Sequence, residues 1–303
     1  MSRPKLQTVK GKLVAEWSVT PAELKTLRAA KPPKVEKIKT LVARIAKAEL
    51  RVMPTEFTAA QLMHPHLWWP LYFCKPRYRV RKNQKNLTPI EWQRYIHAIE
   101  ALAESGMPSP TYSEFVQVHV DAMGMVGMAW GAHGANFLAW HREYLAKIEA
   151  RLIAINPLVT IPYWDWVTDR TAIPAALTDP ADIADWGITR GASFNGNSLA
   201  SAAQLNTLLA GTSFNTFQST LQLAPFHNRL HQLVGGTMQT GASPADPVFW
   251  LHHAFIDKIW DDWQALHPGV NPSNLTTVLQ PAPIMTRTVS QVLNIHALGY
   301  HYA

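Results

Sequence analysis

Histidines on the apolar faces of amphipathic helical segments constrain this chain more than any other feature of its sequence. His119 shares a face with Phe115, Val118 and Ala122, and His141 with Leu138, Leu145, Ile148 and Leu152. His227 and His231 lie in a short segment that stops at Gly235-Gly236, and His253 shares a face with Phe249, Ile256 and Trp260. A buried imidazole needs a polar partner. One such histidine is an ordinary core residue. Five on four helices point to a shared partner, and a metal ion supplies one to several rings at once. The expected fold is mainly α, with a helix bundle as its core.

The helices announce themselves by their ends. Thr88, Pro89 and Glu91 form a capping box with proline at the first helical position, and Thr111 with Glu114 forms a second box. Trp92, Tyr95, Ile96, Ile99, Leu102 and Ala103 make one apolar stripe that ends at Gly106. A third helix is predicted from about Phe137 to Leu152, a fourth from near Pro225, and a fifth from Asp246-Pro247 to about Leu266. Residues 167–224, rich in Ala, Ser, Asn and Gly, read as long loops with short helices.

The net charge of +7 is unevenly placed. Residues 1–53 hold 13 Lys and Arg against 4 Asp and Glu, a balance of +9, which leaves −2 for the rest. With no aromatic interleaving apart from Trp17, this segment reads as a solvated, partly helical extension with a basic helix from Pro32-Pro33 to Arg51, not a nucleic-acid surface. The domain division follows: a basic N-terminal extension over 1–75 and a catalytic domain over 76–303. The single cysteine, Cys74, excludes an internal disulfide framework and a cysteine-rich metal site. No apolar leader and no run of about 18 apolar residues is visible, so a soluble, cytoplasmic protein without a membrane partner is expected.

His227 and His231, four apart, present their rings on one helical face and can grip a single ion. The intervening sequence has Asn228 where a zinc protease has glutamate. His252 and His253 point about 100° apart, so only one joins that ion, and His253 has the better face. His133 and His141 are eight apart, about 12 Å along a helix, which is too far for one metal. His133 must therefore sit on the glycine-flanked loop 131–136 and fold back towards His119 and His141. Two imidazole triads without cysteine or carboxylate suit copper, while spacing alone leaves zinc open.

At this point the residues resemble the tyrosinase and catechol oxidase family of type-3 dicopper proteins, in its bacterial form. His133-Gly-Ala-Asn-Phe-Leu-Ala-Trp-His141 with Glu149 is similar to its first copper signature. Asp246-Pro-Val-Phe-Trp-Leu-His-His253 with Asp257 is similar to its second. Ile161-Pro-Tyr-Trp-Asp-Trp166, Phe226-His-Asn-Arg-Leu-His231 and the terminal Tyr300-His-Tyr302 fit the same pattern. The resemblance implies a four-helix bundle holding two copper ions, copper A on His119, His133 and His141 and copper B on His227, His231 and His253. With O2 as co-substrate, it would turn a small phenol or catechol into an o-quinone. Asp257 is a candidate to orient the imidazoles.

Departures from the pattern carry expectations of their own. The interval from His133 to His141 is one residue shorter than usual, so the loop should be tighter. No cysteine lies near His133 to form the thioether of plant and fungal relatives. Relatives that hydroxylate monophenols often hold a water between the asparagine at Asn228 and a glutamate, where this chain has Gln222; an amide cannot accept a proton as a carboxylate does. Diphenolase activity should therefore exceed monophenolase activity. Ala242 and His252 are the expected substrate-pocket positions, the small Ala242 leaving the entrance open, and no lid domain is expected after residue 303. Rival readings are an o-aminophenol oxidase and a haemocyanin-like O2 carrier. A homo-oligomer and a copper-delivery partner are open.

Overall fold

The computed structural model describes residues 79–303, apart from 105, 126 and 130–134, together with the backbone of two strands near the N-terminus. The chain divides into two compact units, Met1–Lys75 and Pro76–Ala303. In the first, β1 (Lys5–Val9) pairs antiparallel with β2 (Lys12–Glu16), Leu6 opposite Ala15. The basic helix expected over 32–51 and Cys74 lie outside the described residues.

The second unit is mainly helical. β3 (Arg79–Arg81) precedes α1 (Pro89–Ala103), α2 (Tyr112–Met123) and α3 (Phe137–Ile155). Three short helices follow, α4 (Pro180–Asp185), α5 (Ala202–Ala210) and α6 (Phe214–Gln222), separated by loops. Then come α7 (His227–Val234), α8 (Val248–Leu266) and the terminal strand β4 (Tyr300–Tyr302). No helix among the described residues is long and apolar enough to cross a membrane.

Both capping boxes form as their sequences demand. Thr88 accepts from the Glu91 N–H while the Glu91 carboxylate accepts from the Thr88 N–H, and Thr111 with Glu114 does the same. At the start of α8 the Asp246 side chain accepts from the Val248 N–H, with Pro247 standing at the cap position. Its other contact is a two-pronged pair with Arg190, whose Nη1 also donates to the Leu177 carbonyl. Thus one aspartate both begins α8 and fastens the long 167–224 connection to it. α7 ends where Gly235 takes φ 74°. At Gly236 a β-carbon would stand 2.2 Å from the Thr189 carbonyl oxygen, so only glycine lets these segments meet.

α3 lies at the centre, packed against α1 and α8. Trp140, Trp250, Trp260 and Trp263 from these helices are fully buried with Trp164 and Trp166. Fixing such large rings on rigid helices gives the site its frame, and each contributes several kcal/mol of burial, on the order of 3–5 if truncated. Against α3 and α8, β3 pairs parallel with β4. There Arg81 and Arg142 meet Glu149 and Asp257, all buried. Tyr300 and Tyr302 donate their hydroxyls to Asp257 as well. Burial alone would raise the Asp257 carboxyl, but Arg142 and Arg81 outweigh it and hold it below the usual range.

Candidate metal centre

The helical faces that carry the histidines converge on one side of α3. α2 supplies His119, α3 His141, α7 His227 and His231, and α8 His252 and His253. His133 lies outside the described residues. The ring centres of His141 and His253 stack at 4.1 Å, those of His227 and His253 stand 4.9 Å apart, and His119 stands 5.8 Å from His141. The residues assigned to the two sets are therefore direct neighbours. Ring nitrogens of His227, His231, His252 and His253 all lie within 4.8 Å of one another.

What orients the rings is the main chain. His119 Nδ1 donates to the Gly241 carbonyl at 2.6 Å, His141 Nδ1 to Phe137 at 2.8 Å, and His231 Nδ1 to Met238 at 2.6 Å. His227 Nδ1 donates to the Gln222 carbonyl at 3.0 Å and faces Asn228 Oδ1 at 2.8 Å. Carbonyl oxygens only accept, so each Nδ1 carries the proton and each Nε2 is left with a lone pair. Asp257, which the sequence offers as the orienting group, sits one turn beyond His253 on α8 and bonds to the arginines and tyrosines of the β3–β4 seam instead.

The electrostatics agree with this arrangement. Burial lowers His119 and His231 to about 4, the carbonyl bonds opposing it only in part. Burial followed by the neighbouring imidazoles pushes His141, His227, His252 and His253 well below the ordinary value. At neutral pH all six are uncharged, the state a metal ligand requires. Two further observations fit a metal. His141 Nε2 is buried without a hydrogen-bond partner, an arrangement that costs free energy unless something else meets it. His231, its proton held on Nδ1, turns a lone pair towards His253 Nε2 at 3.3 Å, a spacing at which the two nitrogens share a proton in the metal-free chain and could meet one cation instead.

A cavity of about 360 Å³ opens onto these rings. Its described lining includes His119, His141, His227 and His231, with Asn228, Gln232, Met123 and Met238 around them, and contains no carboxylate. Of the expected pocket positions, Ala242 lies between the lining residues Gly241 and Ser243 without being one, and His252 is fully buried behind the rings. Gln222 is buried on α6 and also stands outside the lining, meeting His227 through its carbonyl. Phe249 and Phe137 pack among the rings: Phe249 lies 4.1 Å from His253 and 5.1 Å from His119, and Phe137 lies 4.8 Å from both His141 and His227. The carbonyls of Gly241, Met238 and Phe137 escaped the sequence reading, because a main-chain acceptor leaves no mark on residue type.

Comparison with known proteins adds an independent line. The family model for the common central domain of tyrosinase matches residues 109–199 and 177–266. A tyrosinase of Streptomyces glaucescens is 35% identical over 235 residues, covering 63% of this chain and 84% of that protein. Grixazone synthase of Streptomyces griseus is 28% identical over 274 residues, covering 66% and 88%. Among solved structures, a functional unit of octopus hemocyanin superposes with a TM-score of 0.58 at 24% identity, covering 74% of this chain and 68% of that one. Polyphenol oxidase of the Grenache grapevine (Vitis vinifera) superposes with a TM-score of 0.59 at 20% identity, covering 75% and 85%. These two likenesses concern the fold.

Proposed function

Because the chain belongs to the tyrosinase family, we propose that it is a copper polyphenol oxidase that turns o-diphenols into o-quinones with O2, and monophenols more slowly. The observation that carries the reading is the set of four imidazoles whose Nδ1 protons are fixed on main-chain carbonyls while their ε-nitrogens converge beside one cavity.

Copper A is assigned to His119, His133 and His141, and copper B to His227, His231 and His253. Bound there, the copper pair supplies the redox chemistry that couples ring oxidation to O2 reduction. The chain's own part is positional. The carbonyls of Gly241, Phe137, Met238 and Gln222 fix which nitrogen is offered, so no tautomer change is needed when metal arrives. Phe249 and Phe137 pack against the rings and border them with apolar surface. Met123, Met238 and Ala129 give the cavity apolar walls for a planar aromatic ring, and the amides of Asn228 and Gln232 give it neutral hydrogen-bonding groups.

The same lining bears on substrate class. A catechol gives up two protons and two electrons, and two such oxidations reduce one O2 to two waters. A monophenol must in addition lose its proton before its ring can be oxygenated, a step a nearby carboxylate assists. The described lining offers amides, hydroxyls and imidazoles but no carboxylate, and the position that resembles the family's glutamate is Gln222. This supports diphenolase over monophenolase. The cavity that the described residues leave beside His119, His141, His227 and His231 also supports turnover over reversible O2 carriage.

Metal analysis and an oxygen electrode test the proposal together. Copper-loaded protein is expected to hold two coppers per chain and to consume O2 steadily with catechol. Reversible O2 uptake without consumption would mean a carrier, and zinc at one equivalent would end the dicopper assignment.

A further inference from the structure

The four-histidine group leaves open which of two adjacent residues completes it, since His252 and His253 both bring ring nitrogens within 4.8 Å of those of His227 and His231. Trp166 bears on that choice. Its indole Nε1 lies 3.1 Å from His252 Nδ1, with both residues wholly buried. An indole nitrogen donates and never accepts. His252 Nδ1 must therefore present its lone pair, and the neutral ring carries its proton on Nε2. His252 Nε2 is buried with no hydrogen-bond partner among the described residues, so nothing but the indole's hold on Nδ1 keeps the proton there, and while it stays the ring offers a metal no free lone pair.

We propose that Trp166 is a positioning residue that withholds His252 from copper and leaves the third place of that set to His253. The inference rests on the ligand assignment proposed above. The opposite pattern holds at four of the rings assigned to metal: His119, His141, His227 and His231 place the proton on Nδ1. The tryptophan is held for the task. Its ring packs edge-on against Phe255 at 5.1 Å, and its peptide N–H donates to the Trp164 carbonyl. The Trp164 N–H in turn donates to the carbonyl of Leu251, the residue before His252. The segment Ile161-Pro-Tyr-Trp-Asp-Trp166 is thus strapped to α8 where the two histidines diverge. His252, lying parallel to His227 at 5.1 Å, becomes a buttress behind the site.

Nitrogen NMR of the metal-free chain labelled with 15N-histidine reads the proton positions directly. The expected spectrum has protonated Nε2 at His252 and protonated Nδ1 at His119, His141, His227 and His231. Trp166→Phe keeps an aromatic ring but removes the donor, and should bring the Nδ1-protonated form of His252 into the spectrum. Equilibrium dialysis against zinc and copper provides the second arm. His253→Ala should bind one ion per chain fewer than the wild type. Trp166→Phe added to it should recover that ion with an affinity roughly 10- to 100-fold tighter, because no buried indole donor is then left unpaired when His252 turns to the metal. Protonated Nδ1 at His252 in the wild type, or a double variant binding no better than His253→Ala, overturns the proposal. If the wild type takes up no pair of ions, the dicopper reading fails, while the nitrogen spectrum still decides the role of Trp166. Should the phenylalanine variant not fold, the wild-type spectrum alone decides it.

Discussion

At the scale of single residues, the site is a set of imidazoles held neutral and aimed. His141, with its buried and unpartnered Nε2, is the clearest test of the ligand assignment. His141→Ala is expected to lower bound copper from two ions per chain to about one, and to cut catechol-dependent O2 consumption by at least ~10³-fold, since paired-metal chemistry fails as a unit. A variant retaining both ions would remove this ring from the assignment. Gln222→Glu restores a carboxylate where the family resemblance places one, and should raise the ratio of monophenol to catechol turnover; an unchanged ratio would sink the amide explanation. The depressed histidines also predict how metal-free protein responds to acid. An unfolded chain takes up protons on histidine near pH 6.5, whereas folded His119 and His231 resist until about pH 4. Between those values the unfolded state binds more protons, so stability falls as pH falls through the window. Each unit of depression is worth ~1.4 kcal/mol per ring. Urea midpoints at pH 7 and pH 5 should therefore differ clearly, and a flat profile would mean the rings are not held neutral by burial.

At the scale of elements, much was legible because helices write their ends into residue type. The capping boxes at Thr88 and Thr111, the glycine stop after α7 and the long α8 follow from letters alone. The apolar stripe on α2 placed His119 correctly among Phe115, Val118 and Ala122, all buried. What could not be read was anything made by the main chain or by distant pairing. The carbonyls that orient the rings belong to Gly241, Met238 and Gln222, whose side chains announce nothing of the role. Nor does a three-residue strand such as β3 carry a pattern that foretells parallel pairing with β4, more than two hundred residues later. Asp257 shows the limit well: its place in a copper-like motif pointed towards the imidazoles, but its side chain faces the seam where Arg81, Arg142, Tyr300 and Tyr302 need an acceptor. Asp257→Ala would leave two buried guanidinium groups without that partner and should destabilise the fold by ~3–5 kcal/mol. Denaturant unfolding measures it, and a loss below ~1 kcal/mol would show that the seam does not fasten β4.

At the scale of the whole molecule, every described histidine of the site belongs to the Pro76–Ala303 unit. We infer that this unit is the catalytic domain. A chain starting at residue 76 should fold, bind two coppers and oxidise catechol within about threefold of the full-length rate. Loss of copper binding on that deletion would give the basic N-terminal unit a part in the centre itself. The manner in which the rings are held has a consequence for how such a protein can change over generations. Because the partners at Nδ1 of His119, His141 and His231 are peptide oxygens, which every amino acid possesses, no change of side chain removes them. Random change will readily remake the walls of the cavity, and with them the choice of substrate, long before it disturbs which nitrogen those three histidines offer. Only an insertion or deletion in the short connections around Met238 and Gly241, or at the start of α3, shifts that inheritance.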